Sequence, residues 1–305
     1  MNTSALTVVA PTLITPAMLV SSNVPETDYA EWAAGTAYAK DARVIVAAQH
    51  KVYQSLADAN TGNNPATPSA APKWIVVGPT NRWRAFDKSV SSQTAQAGSI
   101  SYRLKAGSAV TYLGALNIAG ATSTRVRVDD PTYGVVYDKT IALSRVPIAG
   151  GWWEWFFGER RAPTQALFND LPSFPAADIL IDIKGGADLA VGVLLLGQAR
   201  TFSLGVRMGA RVGIQDYSRK ERTDFGDVVV VERAFAKRAS FSMLLRASEV
   251  DALQRFLSDV RATPCLWIGS GRYESTTVYG FYKSFDIVIS YFDYSDCDLE
   301  LEGLT

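Results

Sequence analysis

The sequence is nearly devoid of histidine and cysteine. His50 is its one imidazole, and Cys265 and Cys297 are its two thiols, in 305 residues. Together they cannot supply the three or four ligands of a usual zinc site without help from carboxylates. A serine–histidine–carboxylate relay would have to run through His50. That residue lies in Ala47-Ala48-Gln49-His50-Lys51-Val52-Tyr53, which reads as a turn between two strands. Two cysteines do not make a disulfide scaffold. They sit beside apolar residues and read as buried free thiols, with a disulfide open only if their β-carbons come within about 4.5 Å. No metal and no cofactor is expected.

Net charge is missing too. Thirty Lys and Arg balance 30 Asp and Glu. Binding nucleic acid rests on neutralising phosphates, and capture by anionic membranes needs a basic surface, so neither partner is expected. A chain with little self-repulsion suits life inside an assembly. Long apolar runs are also absent. The longest, Leu189–Leu196, is strand length, well short of the ~18 or more residues of a membrane helix. The first 25 residues carry no charged side chain, but they lack a basic start, and Pro11 and Pro16 break the apolar stretch. The reading is a soluble protein made in the cytoplasm, with no signal peptide and no membrane insertion.

What the sequence has in quantity is short β-type runs. They include Arg43–Ala47, Trp74–Val77, Ser99–Leu104, Val110–Ile118, Thr124–Val128, Gly134–Ile141, Val228–Phe235, Ser240–Leu245, Thr276–Phe281, Phe285–Tyr291 and Cys297–Leu301. Many alternate or are β-branched, and Gly, Asp or Pro clusters separate them, which suggests sandwiches or barrels. Asp178–Lys184 and Leu189–Leu196 flank Gly185-Gly186 and predict a closing hairpin. One segment is helical. Ser248 stands as N-cap, Glu249 and Asp251 lie in the first turn, and Val250, Leu253, Leu257 and Val260 recur at helical spacing until Pro264. A length of 305 residues, at roughly 100–200 per domain, predicts two or three domains. Loop-like stretches at Asn60–Lys73 and Thr164–Ala177 mark composition shifts.

Residues 29–80 carry the most specific pattern. It runs Trp32, Gly35-Thr36-Ala37-Tyr38, Ala42-Arg43-Val44, Lys51-Val52-Tyr53, Gly62-Asn63-Asn64-Pro65 and Trp74. This resembles the small chitin-binding-like carbohydrate-binding modules. The resemblance implies a small β domain with a bacterial surface glycan as ligand. Trp32, Tyr38, Tyr53 and Trp74 are the candidate contacts. A module this small has little core of its own, so the same four rings have a structural reading as its core. In family members two consecutive tryptophans stack on the sugar. Leu56-Ala57-Asp58 occupies that place here.

Residues 81–200 open on Asn81-Arg82-Trp83 and continue through β runs. Their strand count and length look like a galactose-binding-like jelly roll. Within them, Trp152, Trp153, Trp155, Phe156 and Phe157 place five aromatic rings in six residues. On one strand these cannot all face inward, because side chains alternate. They are the candidate subunit interface, with core packing and sugar contact as the other readings.

Residues 201–305 look like a domain of tailed-bacteriophage tail proteins. The segments that carry the likeness are Asp216–Glu221, Glu232–Arg238, Arg261–Trp267, Val278–Lys283 and Cys297–Leu304. The expected architecture is mainly β: a 1–28 arm, a 29–80 carbohydrate-binding-module-like domain, an 81–200 jelly-roll β-sandwich and a 201–305 α+β domain with one amphipathic helix. The function this implies is a structural tip, nozzle or appendage component of a phage tail, assembled in the host cytoplasm. It would form a homo-oligomer with other tail proteins and contribute to host attachment through repeated weak modules. The uncharged arm is expected to dock on a neighbouring subunit's sheet edge. No catalytic residue is expected. A carbohydrate-active enzyme would need a carboxylate pair, for which Asp216, Glu221, Asp224 and Asp227 are the candidates, though their mixed-sign setting reads as a solvated hairpin. A free lectin is the remaining alternative.

Overall fold

Strand accounts for 52% of the described residues and helix for 11%, against roughly 20–25% strand in an average domain. The protein is mainly β, as its alternating runs imply. The computed structural model describes residues 5–143, 146–147, 151–158, 160–202, 204–222, 226–271, 273–289 and 291–304. The chain forms two compact units, Leu13–Leu195 and Met1–Thr12 with Leu196–Thr305.

In the unit Leu13–Leu195, Ser99–Lys105 pairs antiparallel with the first seven residues of a long strand, Asp178–Phe202. On its other edge it pairs with Leu19–Ser22. Ile100, Tyr102 and Leu104 face the core with Ile179, Ile181 and Ile183. Tyr112–Asp130 pairs with Gln165–Phe168 and with Gly134–Ala142. A separate three-stranded sheet, Arg43–Val46, Lys51–Ser55 and Trp74–Pro79, builds the segment read as a carbohydrate-binding module.

Gly185-Gly186 does not close a hairpin. Asp178–Phe202 runs through it as one strand. The reason is a close backbone crossing. A β-carbon on Gly185 would lie 2.4 Å from the Gly120 carbonyl oxygen, and one on Gly120 would lie 2.6 Å from that of Asp188. A glycine inside a strand marks such an approach as readily as a turn.

The second unit is an antiparallel sheet with one helix. Leu6–Pro11, in the segment read as an arm, pairs with Gly197–Phe202 on one side and with Leu266–Ile268 on the other. Both its edges are engaged within the chain, the second one over Thr7–Val9. The order continues through Cys265–Ile268, Thr277–Val288, Tyr294–Gly303 and Phe235–Arg246 to the edge strands Gly205–Val206 and Arg211–Asp216. Helix Val250–Asp259 buries Leu253, Phe256 and Leu257 against Phe202, Phe241, Trp267 and Leu299. Its start differs from the expected cap: the Arg246 backbone N–H donates to Glu249 at 3.2 Å, and Ser248 lies in a preceding 3-10 turn, Ala247–Glu249. Cys265 and Cys297 are buried free thiols.

The last strand shows why the sheet is one-sided. Ser295, Cys297, Leu299 and Leu301 are buried, while Asp296, Asp298, Glu300 and Glu302 alternate with them toward solvent. A period of two puts the apolar set on one face.

Candidate functional site

Exposed surfaces carry the features of interest, and the four module rings come first. Val44, Tyr53 and Trp74 are buried together, with Trp32, Tyr38 and Val46 packed half-buried around them. Tyr38 meets Trp74 edge to face at 5.2 Å. Trp74 donates its indole N–H to the Asn63 carbonyl at 2.8 Å. The Tyr38 hydroxyl accepts from the Ala33 N–H at 2.8 Å, and Tyr53 donates to Gln49. The four rings therefore hold the module together, and their bonded polar atoms find partners inside it. Leu56, the first residue of Leu56-Ala57-Asp58, is exposed.

His50 ends the turn Ala47–Gln49 with φ near +55°. Its Nδ1 lies 2.9 Å from Glu26, whose carboxylate also accepts from Arg82 at 2.9 Å and from the Thr80 hydroxyl at 3.0 Å. The imidazole packs on Trp83, ring centroids 4.6 Å apart. Arg82 Nε donates to the Val24 carbonyl at 2.6 Å, and the Asn81 N–H donates to Asp28 at 2.6 Å. Asn81-Arg82-Trp83 is thus the joint between the small sheet and the β segment after it. No local pattern in the sequence discloses this role, because the partners Val24, Glu26 and Asp28 lie far upstream.

The five-aromatic segment is a short helix, Trp152–Phe157, lying in the chain between the paired strands Val146–Pro147 and Arg160–Arg161. Alternation limits the rings that one face of a strand can hold, but the segment is helical. A single helical turn-and-a-half spreads five rings around its axis instead. Trp152, Trp153, Trp155, Phe156 and Phe157 are all exposed, and their rings pack on one another, Trp153 and Phe157 at 4.5 Å.

The remaining candidate surface is an arm in the unit that contains Leu196–Thr305. Arg211–Asp216 pairs with Phe235–Ser240, and beyond it Arg219–Arg222 pairs with Val228–Val231. The expected single strand Val228–Phe235 is interrupted because Glu232–Ala234, three residues, oppose only Tyr217 and Ser218. An extra residue on one side breaks a ladder in this way. Every residue of Arg219–Arg222 and Val228–Val231 is exposed.

Three of the four carboxylates considered for catalysis string along this arm. Asp216 accepts from Lys220 at 2.8 Å and from the Ser218 N–H at 2.9 Å, and these bonds hold it well below the usual carboxylate range. Glu221 pairs with Arg219. Asp227 flanks the valines, and Asp224 lies outside the described residues. Among the described residues no group of three or more His, Cys, Asp or Glu is placed to hold a metal ion. Among them, too, no helix is long and apolar enough to cross a membrane.

Comparison with family models, curated proteins and solved structures found no match to the chain.

Proposed function

We propose that the chain is a structural, non-enzymatic subunit of a bacteriophage tail tip, nozzle or appendage, which assembles with copies of itself and other tail proteins and contributes to host attachment. The observation that supports this best is the amount of apolar surface left in water. Five aromatic rings at 152–157 and four successive valines at 228–231 are exposed in a chain of zero net charge. Fully burying one large apolar side chain is worth roughly 1.5–3 kcal/mol, so such surfaces drive association once a partner is present. The resemblance of residues 201–305 to tail proteins is what points this reading to a phage tail. Of the carboxylates weighed for catalysis, Asp216 and Glu221 are tied to neighbouring cations on an exposed strand pair, a poor setting for acid–base chemistry.

In this reading residues 29–80 face outward and gain from repetition. Locating the chain in purified particles by electron microscopy tests the reading. Trp152–Phe157 should be covered there by another domain or subunit. A particle lacking the chain, or turnover of a glycan that disappears with one Asp or Glu substitution, overturns the proposal. Deleting residues 29–79 should leave assembly intact while lowering adsorption.

A further inference from the structure

The arm has two unpaired edges, and they fit each other. Val228–Val231 uses one edge on Arg219–Arg222, and among the described residues its other edge is bare. The four valines are 56%, 50%, 57% and 47% exposed. Arg211–Asp216 uses one edge on Phe235–Ser240, and its outer edge is likewise bare among the described residues. It too is exposed throughout, with Val212 at 47% and Ile214 at 61%. A bare apolar edge is a template for another strand.

These two edges lie on opposite sides of one hairpin, so they cannot meet within a chain. They can meet only between chains. Both have the same pattern. Asp227 and Glu232 bracket four uncharged residues, and Arg211 and Asp216 bracket four more, Val212-Gly213-Ile214-Gln215. Laid antiparallel, the more stable ladder per residue, Val229 falls opposite Ile214 and Val231 opposite Val212. Glu232 then falls opposite Arg211. The other end brings Asp227 to Asp216, whose charge is already balanced by Lys220 at 2.8 Å.

We propose that the occupant of the Arg211–Asp216 edge is the Val228–Val231 strand of a second copy of this chain, added antiparallel. Because the two surfaces differ, the contact is head-to-tail. Repeated, it closes a ring or runs on as a filament, and does not stop at a two-fold dimer. The inference rests on the assembly reading above and gives that reading its partner and register.

Sedimentation velocity on the full chain over a concentration series tests it. The wild type should associate beyond the dimer. Val229→Lys with Val231→Lys should be monomeric, with an unchanged circular dichroism spectrum and melting point, since both side chains already face solvent. Glu232→Arg alone, or Arg211→Glu alone, should weaken association several-fold, and the two together in one chain should restore it. Wild type that stays monomeric at its solubility limit overturns the proposal. So does association that survives the two lysines, or a charge swap that fails to restore it, the result expected if another protein or a two-fold contact covers the edge. Particles in which the arm sits on a different protein would sink this inference and leave the tail-subunit reading standing. Head-to-tail rings in solution from a chain absent from particles would do the reverse.

Discussion

Tyr294–Gly303 and Val228–Val231 are strands of the same unit, and they treat apolar residues oppositely. The first alternates, with Leu299 and Leu301 inside and Glu300 and Glu302 outside. The second sets four valines in a row and hides none of them. Alternation is the mark of a strand whose one face is settled within its own chain. An unbroken apolar run in a two-stranded hairpin has no such face, and an isolated pair of this kind is marginal in water. The valines add little to the stability of the chain that carries them. Their apolar area becomes useful on contact with something else.

The sharpest way to break that contrast is to attack the settled side. Phe241 is fully buried at the centre of the sheet's inner face, in contact range of Gly269 and packed in one cluster with Trp267 and Leu299. Phe241→Ala should cost about 3–5 kcal/mol through lost burial and the cavity left behind. Urea denaturation followed by tryptophan fluorescence measures this. A loss near zero would mean that the inner face is not the core. Leu253→Pro, in the helix covering that face, should cost about 3 kcal/mol or more and block incorporation into particles.

A pH experiment probes the same face more gently. Burial, helped by the neighbouring Asp298 and Asp286 carboxylates, pushes the Cys297 thiol up to about 12. The folded chain therefore favours the neutral thiol. Its contribution is fully present below the unfolded thiol value of about 8.5 and is lost as pH rises from there toward the folded one. The urea midpoint should fall between pH 8 and pH 10.5, roughly the lower part of that window, and Cys297→Ala should flatten the fall. Native Cys297 should also resist alkylation at neutral pH, because the thiolate is the reactive form. Rapid native labelling would place it outside the core.

How much of the molecule is legible in its sequence depends on whether the signal is local. The alternation of Tyr294–Gly303 and the periodicity of Leu253, Phe256 and Leu257 sit within a few residues, so the β-rich class and the one long helix can be read directly. Gly185-Gly186 misleads because a glycine pair serves a turn and a close crossing equally well, and the crossing partner, Gly120, is far off in the chain. Trp152–Phe157 misleads because hydrophobic density without periodicity does not distinguish strand from helix. The Glu26–His50–Arg82 joint is distributed over three segments. The arm is half legible: Arg219–Asp227 reads as a solvated hairpin from its mixed charges, but the bare edges that make it interesting are a property of sheet order, which no local pattern encodes.

The smallest effect is the most discriminating, because it makes one chemical change on both sides of the comparison. Valine and threonine have nearly the same shape, and Val→Thr exchanges a methyl for a hydroxyl. Val278 is 1% exposed and belongs to the inner-face core; a hydroxyl forced in there without a partner should cost about 1–3 kcal/mol. Val230 is 57% exposed, and the same change should move the chain's own stability by no more than about 0.5 kcal/mol. Measured on monomer at high dilution, the two urea curves should separate clearly. Measured where copies associate, Val230→Thr should lose ground relative to wild type, because its hydroxyl then enters a drying contact. If Val230→Thr cost as much as Val278→Thr at high dilution, the valine strand would be packed within its own chain, and the distinction between settled and open strands would fail.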